Sequence, residues 1–143
     1  MNFNIDIDTA ELDKKVRELI KNFPEAGEQC INRACLHVEA KAKENCPVDL
    51  GTLRASITHK AVKENGTIEG YVYTNEEYAP YVEFGTGIYA DNGQGRQTPW
   101  RFKDKDGNWH LINGQQPKKF ISNALKSEGD KVAQEFRRFL DYV

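Results

Sequence analysis

The residues best equipped for chemistry are three cysteines (Cys30, Cys35, Cys46), three histidines (His37, His59, His110) and scattered carboxylates. Thiolate and imidazole together could hold zinc, or could form a nucleophile with its base. Their spacing argues against both. Cys30, Cys35 and His37 fall on one predicted helix, where about 100° per residue turns the two cysteines roughly 140° apart. Cys30 and His37 share a face but stand about 10 Å apart along the axis, against zinc bonds of roughly 2.0–2.3 Å. Buried thiols acting as small apolar side chains are the expectation. Cys46 would need His59 or His110 beside it, and nothing in the sequence brings either there. Asp104-Lys105-Asp106-Gly107-Asn108 opens like a calcium loop. However, Trp109 stands where the loop needs glycine and Gln115 where it needs a bidentate glutamate, so a hairpin tip is expected. Gly85, Gly87, Gly93 and Gly95 lack the Gly-Lys-Ser/Thr of a phosphate loop and the spacing of a dinucleotide fingerprint, so they read as a mobile surface loop. Glu76, Glu77 and Glu83 could pair as acid and base. No other catalytic feature accompanies them, and solvated surface charge is expected. The expectation is no catalytic residue, no metal and no cofactor.

Length, composition and charge set wider bounds. The 143 residues suit one domain, and 38% apolar with 29% charged residues is enough for a modest core. A net charge of -2 gives no mandate for binding nucleic acid or membrane. The N-terminus MNFNIDIDTAELDKK shows no signal peptide, and no apolar run approaches the roughly 20 residues of a membrane span. An odd cysteine count without a secretion signal fits reduced thiols in a cytosolic setting.

The elements that would position these residues follow from periodicity. Leu12, Val16, Leu19, Ile20 and Phe23 form an apolar stripe, predicting a helix over 9–23 with Asp8 or Thr9 as N-cap and Pro24 as its end. A second helix is predicted over 25–45, burying Ala26, Cys30, Ala34, Val38 and Ala42 with Ile31 beside them, and stopped by Pro47. Gly51-Thr52 opens a helical turn through Ser56. Strands over 57–63 and 67–74 flank Asn65-Gly66, the strongest short hairpin signal. In the second strand Tyr71 and Tyr73 share one face and Ile68, Gly70 and Val72 the other. Residues 80–84 read as a short helix with Pro80 at its start and Gly85 after its end. Residues 85–99 show no periodicity. A second hairpin is predicted over 100–112 around Asp106-Gly107, and a last helix over 121–142 with Leu125, Val132, Phe136, Phe139 and Leu140 on one stripe. The class is α+β: a small antiparallel sheet built from two hairpins, packed against N-terminal helices and a long C-terminal helix. One domain over 1–143 is expected: helical to 45, sheet, short helix and loop over 46–120, then the last helix.

Charge is ordered along the chain. Residues 64–91 carry six acidic residues (Glu64, Glu69, Glu76, Glu77, Glu83, Asp91) and no Lys or Arg. Residues 96–119 carry six basic ones (Arg96, Arg101, Lys103, Lys105, Lys118, Lys119) against Asp104 and Asp106. On opposite flanks, these segments would let copies associate head to tail and close into a ring. Alternatively they neutralise each other within one subunit. Trp100, Phe102 and Trp109 interleave the basic stretch, a pattern that also suits single-stranded nucleic acid; hairpin-core aromatics are the commoner cause.

Two segments carry a resemblance: Pro47-Val48-Asp49-Leu50-Gly51-Thr52-Leu53-Arg54-Ala55-Ser56-Ile57 and Tyr78-Ala79-Pro80-Tyr81-Val82-Glu83-Phe84-Gly85-Thr86-Gly87. In this order they resemble the head–tail joining (tail-completion) family of tailed bacteriophages, typified by gene product ten of a lambdoid coliphage. A third segment, Gln116 to Leu125, resembles the family's closing segment before the last helix. Leu50 stands where Thr is usual, Lys119 and Asn123 where prolines are common, and the 100–112 hairpin looks like an insertion. The resemblance implies a virion protein of the neck, assembled in the bacterial cytoplasm. Its expected partners are itself, in a ring matching sixfold tail symmetry, and the head connector and tail proteins, with no membrane and no specific nucleic acid. A nucleic-acid-binding accessory protein using residues 96–119 is the alternative.

The residues expected at assembly contacts are Arg54, Tyr78, Tyr81, Glu83, Phe84, Gly85, Thr86, Gly87, Arg96, Lys118 and Lys119. Tyr78, Tyr81 and Phe84 fall at i, i+3 and i+6, an aromatic stripe that would cap the core against the sheet. Arg54 and Glu83 are expected to pair, or each to face a neighbouring subunit. The 85–99 loop is expected to be mobile in the free subunit and to order in the ring.

Overall fold

Small side chains at Cys30, Ala34, Val38 and Ala42 let other layers close tightly on one helix, and that helix organises the molecule. The computed structural model describes residues 10–49 and 51–142, apart from the side chains of Glu11, Leu12, Val16, Leu19 and Ile20. The expected N-cap at Asp8 or Thr9 and most of the first stripe therefore lie outside the described residues. Helix α1 spans Ala10–Asn45 with Pro24 inside it. The two helices expected either side of Pro24 are thus one. Proline removes one backbone hydrogen bond and crowds the preceding turn. Here Phe23, directly before it, packs edge-on against Phe139 with ring centroids 5.1 Å apart, a tertiary contact that holds the helix across the proline.

Helix α2 (Gly51–Ser56) leads into strands β1 (Thr58–Glu64) and β2 (Thr67–Tyr73), paired antiparallel from Thr58 opposite Tyr73 to Glu64 opposite Thr67. Asn65 and Gly66 close the hairpin with φ of 50° and 78°, the left-handed pair such a turn requires. Helix α3 spans Ala79–Phe84, and a 3-10 turn follows at Gly87–Tyr89. Strands β3 (Trp100–Lys103) and β4 (Trp109–Ile112) form a second antiparallel pair. The two hairpins remain separate two-stranded sheets. The chain ends in α4 (Phe120–Ser127) and α5 (Gly129–Tyr142).

α1 is packed by β1 and β2 and also by α4 and α5. Cys30 and Cys35, expected to point well apart, are both buried because α1 has neighbours on more than one side. Gly70 on β2 comes so close to α1 that an added Cβ would stand 2.5 Å from Cys35 Sγ and 2.7 Å from Ile31 Cγ2. The core joins Val38, Ala42 and Cys46 to Leu53, Ile57, Ala79, Val82, Phe120 and Ala124. Phe120 is its largest fully buried side chain. All three cysteines are free and buried, and desolvation pushes each thiol above its ordinary pKa. Among the described residues, no helix is long and apolar enough to cross a membrane.

The C-terminal helix departs from expectation twice. It breaks at Glu128, before Gly129, although Glu128 N–H still donates to Ala124 and Val132 N–H to Glu128. Its inward face is Ala124, Glu128, Val132, Glu135 and Phe139, while Leu125, Phe136 and Leu140 are exposed. Charge explains the rotation. Glu135 turns inward to meet α1, with Arg33 Nε donating at 2.9 Å and His37 Nε2 at 3.0 Å. The His37 hydrogen bond leads in holding its carboxyl below the ordinary value; burial opposes and Arg33 helps. Glu39 ties α1 to β1 in the same way. Burial would raise its pKa, but hydrogen bonds from His59 and Lys43 outweigh that and lower it.

Candidate assembly surface

α3 is six residues long and begins with proline near its first position, so its direction is fixed by what its inner face meets. That face is Ala79, Val82 and Glu83, all buried. Tyr78 is half-buried against the core, whereas Tyr81 is 60% and Phe84 52% exposed. The expectation that the aromatic stripe caps the core is corrected: two of its three rings face outward.

Glu83 is 6% exposed. Its carboxylate accepts from the Ile121 N–H at 3.0 Å, the Ser122 N–H at 2.9 Å and the Ser122 hydroxyl. It therefore caps the start of α4 from a distant element, satisfying amides that an α-helix leaves open. The expected Arg54–Glu83 pair does not form. Arg54 instead donates through Nη2 to the Cys46 carbonyl, tying α2 to the end of α1, while its buried Nε has no partner.

The segment after α3 makes more internal hydrogen bonds than its composition suggested. Gly85 and Gly87 adopt φ of 78° and 61°. An added Cβ on Gly87 would stand 2.0 Å from the Asn113 carbonyl. This close approach builds a clasp between two loops: Thr86 N–H donates to Gln115, Gln115 N–H returns to the Thr86 carbonyl and hydroxyl, and Ile88 N–H donates to Asn113. Residues 85–93 are thus held by backbone hydrogen bonds, where a structureless segment was expected.

The clasp shapes a groove of about 650 Å³ lined by Pro80, Tyr81, Phe84, Gly85, Thr86, Gly87, residues 90–92, Gln94, Gly95, Arg96 and Trp100. Six of the residues expected at contacts meet here: Tyr81, Phe84, Gly85, Thr86, Gly87 and Arg96. Arg96 stacks over Trp100 at 5.5 Å from the ring centroid. Arg54, Tyr78, Glu83, Lys118 and Lys119 lie elsewhere. Tyr78 and Lys118 line a smaller cleft with Tyr81 and Gln115. Lys119 Nζ pairs with Asp91 at 3.0 Å, one point where the acidic and basic segments neutralise each other internally. Lys119 also has φ of 48°, a backbone conformation closed to proline. On the other side of α3 a groove of about 440 Å³ is lined by apolar Val72, Pro80, Phe84 and Ile121 and by Glu76 and Glu77. Neither glutamate has a cationic partner among the described residues.

The β3–β4 hairpin is an arm. Neither strand packs extensively on any other helix or strand. Cross-strand partners share a face, so Trp100, Phe102, His110 and Ile112 take one side and Arg101, Lys103, Trp109 and Leu111 the other. Phe102 stacks on His110 and Lys103 lies over Trp109, as those pairings require. Trp109 and Leu111 are each 67% exposed. Sequence reasoning placed these aromatics in a hairpin core and so did not foresee that Trp109 and Leu111 are exposed. The cross-strand register puts Arg101 and Lys103 on the same face as Leu111 and Trp109. Asp104 organises the tip. His110 leads in lowering its pKa, and its Oδ1 accepts from Asp106 and Asn108 N–H, both at 2.9 Å. No cluster of three or more His, Cys, Asp or Glu suited to a metal occurs among the described residues.

Residues 10–85 match the model of a family described as "Bacteriophage HK97-gp10, putative tail-component". The match runs from α1 through α3 and ends at Gly85, before the clasp and the arm. No curated protein and no solved structure matches the chain.

Proposed function

The chain belongs to the HK97-gp10-like family of bacteriophage tail components, and from that membership we propose that it is a structural subunit of the virion neck. On this reading it joins head to tail, or completes the tail, as one member of a homo-oligomeric ring, with sixfold symmetry to match the tail. The head connector and tail proteins are its other partners, and assembly takes place in the host cytoplasm. It acts through surfaces and turns over no substrate.

The family match over residues 10–85 carries the reading. The exposed apolar side chains on α3 and on the β3–β4 arm support it, because large apolar surface on a subunit marks contacts with other chains. The test is removal of the gene from the intact phage, followed by electron microscopy. Filled heads beside separate tails are expected. Normal infectious particles would contradict the proposal.

A further inference from the structure

We propose that the basic face of the β3–β4 arm docks into the acid-edged groove beside α3 on a second copy of this chain. The inference rests on the ring reading above and names the contact that would build the ring. Each surface is half of an ion-paired apolar interface. On the arm, Trp109 and Leu111 stand two-thirds exposed, each beside its cross-strand partner, Lys103 and Arg101 respectively. Arg101 has no carboxylate partner among the described residues, and Lys103 lies only over the Trp109 ring at 5.9 Å. On the groove, Val72, Pro80 and Phe84 supply an apolar floor, and Glu76 and Glu77 supply negative charge with no cationic partner among the described residues. A groove of about 440 Å³ has room for an indole ring, and it falls within the roughly 300–1,000 Å³ of binding clefts.

Charge complementarity selects the occupant. Like charges across such a contact disfavour wrong partners, and opposite ones steer the right partner and fix its register. The two surfaces differ from each other, so the contact is head-to-tail. Each copy gives one arm and receives one, which closes into a ring when the rotation permits. The other groove, below the clasp, suits the arm less well. Its Asp91 is already paired with Lys119, and Arg96 stands at its edge.

Carbodiimide couples a lysine amine directly to a carboxylate and reads this contact. In an equal mixture of unlabelled and heavy-isotope protein, we expect Lys103 or Lys105 joined to Glu76 or Glu77 in mixed-isotope pairs. Charge reversal is the second arm of the test. Arg101→Glu with Lys103→Glu makes an acidic arm, and Glu76→Lys with Glu77→Lys makes a basic groove. Each double variant alone is expected to self-associate at least about tenfold more weakly in low-salt sedimentation. Mixing the two restores opposite charge at every contact and should restore association. Thermal melts by circular dichroism confirm that both variants fold. Several results would overturn the inference: undiminished association of either variant alone, no restoration on mixing, or wild-type protein that stays monomeric whether or not its arm captures oligothymidine. A phage that needs the gene yet tolerates each charge reversal would remove this contact while leaving the virion role intact.

Discussion

The first hairpin and the second are built on the same plan, two short antiparallel strands around a tight turn, and they meet opposite fates. In β2 the face carrying Ile68, Gly70 and Val72 lies toward α1, close enough that Gly70 has no room for a Cβ. In β4 the face carrying Trp109 and Leu111 meets solvent. Alternation in a strand says only that two faces exist; it does not say what covers them. An isolated two-stranded hairpin is marginal in water and needs a third partner. α1 provides one within the subunit for the first hairpin. For the second, the partner we infer is another copy. The family match covers the first hairpin and ends before the second.

That contrast can be broken by substitutions on either side of it. The largest stability effect is expected at Phe120, which is fully buried. Phe120→Ala should cost about 3–5 kcal/mol in urea unfolding, and a smaller loss would mean that the core is looser than its burial implies. Glu83→Ala should cost about 2–3 kcal/mol, because three donors at the start of α4 lose a charged acceptor inside the protein. An unchanged unfolding curve would return Glu83 to the surface role first expected of it.

The acid response of Glu135 should be smaller. Its native pKa is held below the ordinary carboxylate value, led by the His37 hydrogen bond, so as the pH falls the unfolded chain takes up the proton before the native one does. Its contribution is full above the unfolded value and is lost as pH drops through the lower native value. Urea midpoints between about pH 6 and pH 3 should therefore fall less steeply for Glu135→Gln than for the wild type. Parallel slopes would show that the Arg33–His37–Glu135 cluster does not couple α5 to α1. The smallest effect on folding is expected at the arm, where Trp109→Ser should change stability by within about 0.5 kcal/mol.

Several features were readable from residue pattern because one local cause decided them. The Asn65-Gly66 turn needs left-handed backbone at both positions, and both have it. The small-residue face of α1 is buried at Cys30, Ala34, Val38 and Ala42 as its spacing required. Other features depended on partners distant in sequence. Pro24 marked a helix end until the contact of Phe23 with Phe139 is considered. The stripe of Leu125, Phe136 and Leu140 pointed inward by periodicity, but Arg33 and His37 on α1 draw Glu135 inward instead. The clasp was hidden because Thr86 and Gln115 are far apart in sequence and meet mostly through backbone groups, which leave little mark on composition. Within the site, the Tyr81–Gly87 part was visible as a motif. Trp109 and Leu111 were visible as residues, yet their exposure could be seen only once the arm was found to lack a covering helix.

The most direct test of this division measures folding and association on the same sample of a Trp109→Ser, Leu111→Ser double variant. Urea unfolding should give a free energy within about 1 kcal/mol of wild type, while sedimentation should show the loss of self-association. A variant that unfolds much more easily, or one that still assembles like the wild type, would contradict the claim that this arm is spare to the fold and reserved for a neighbour.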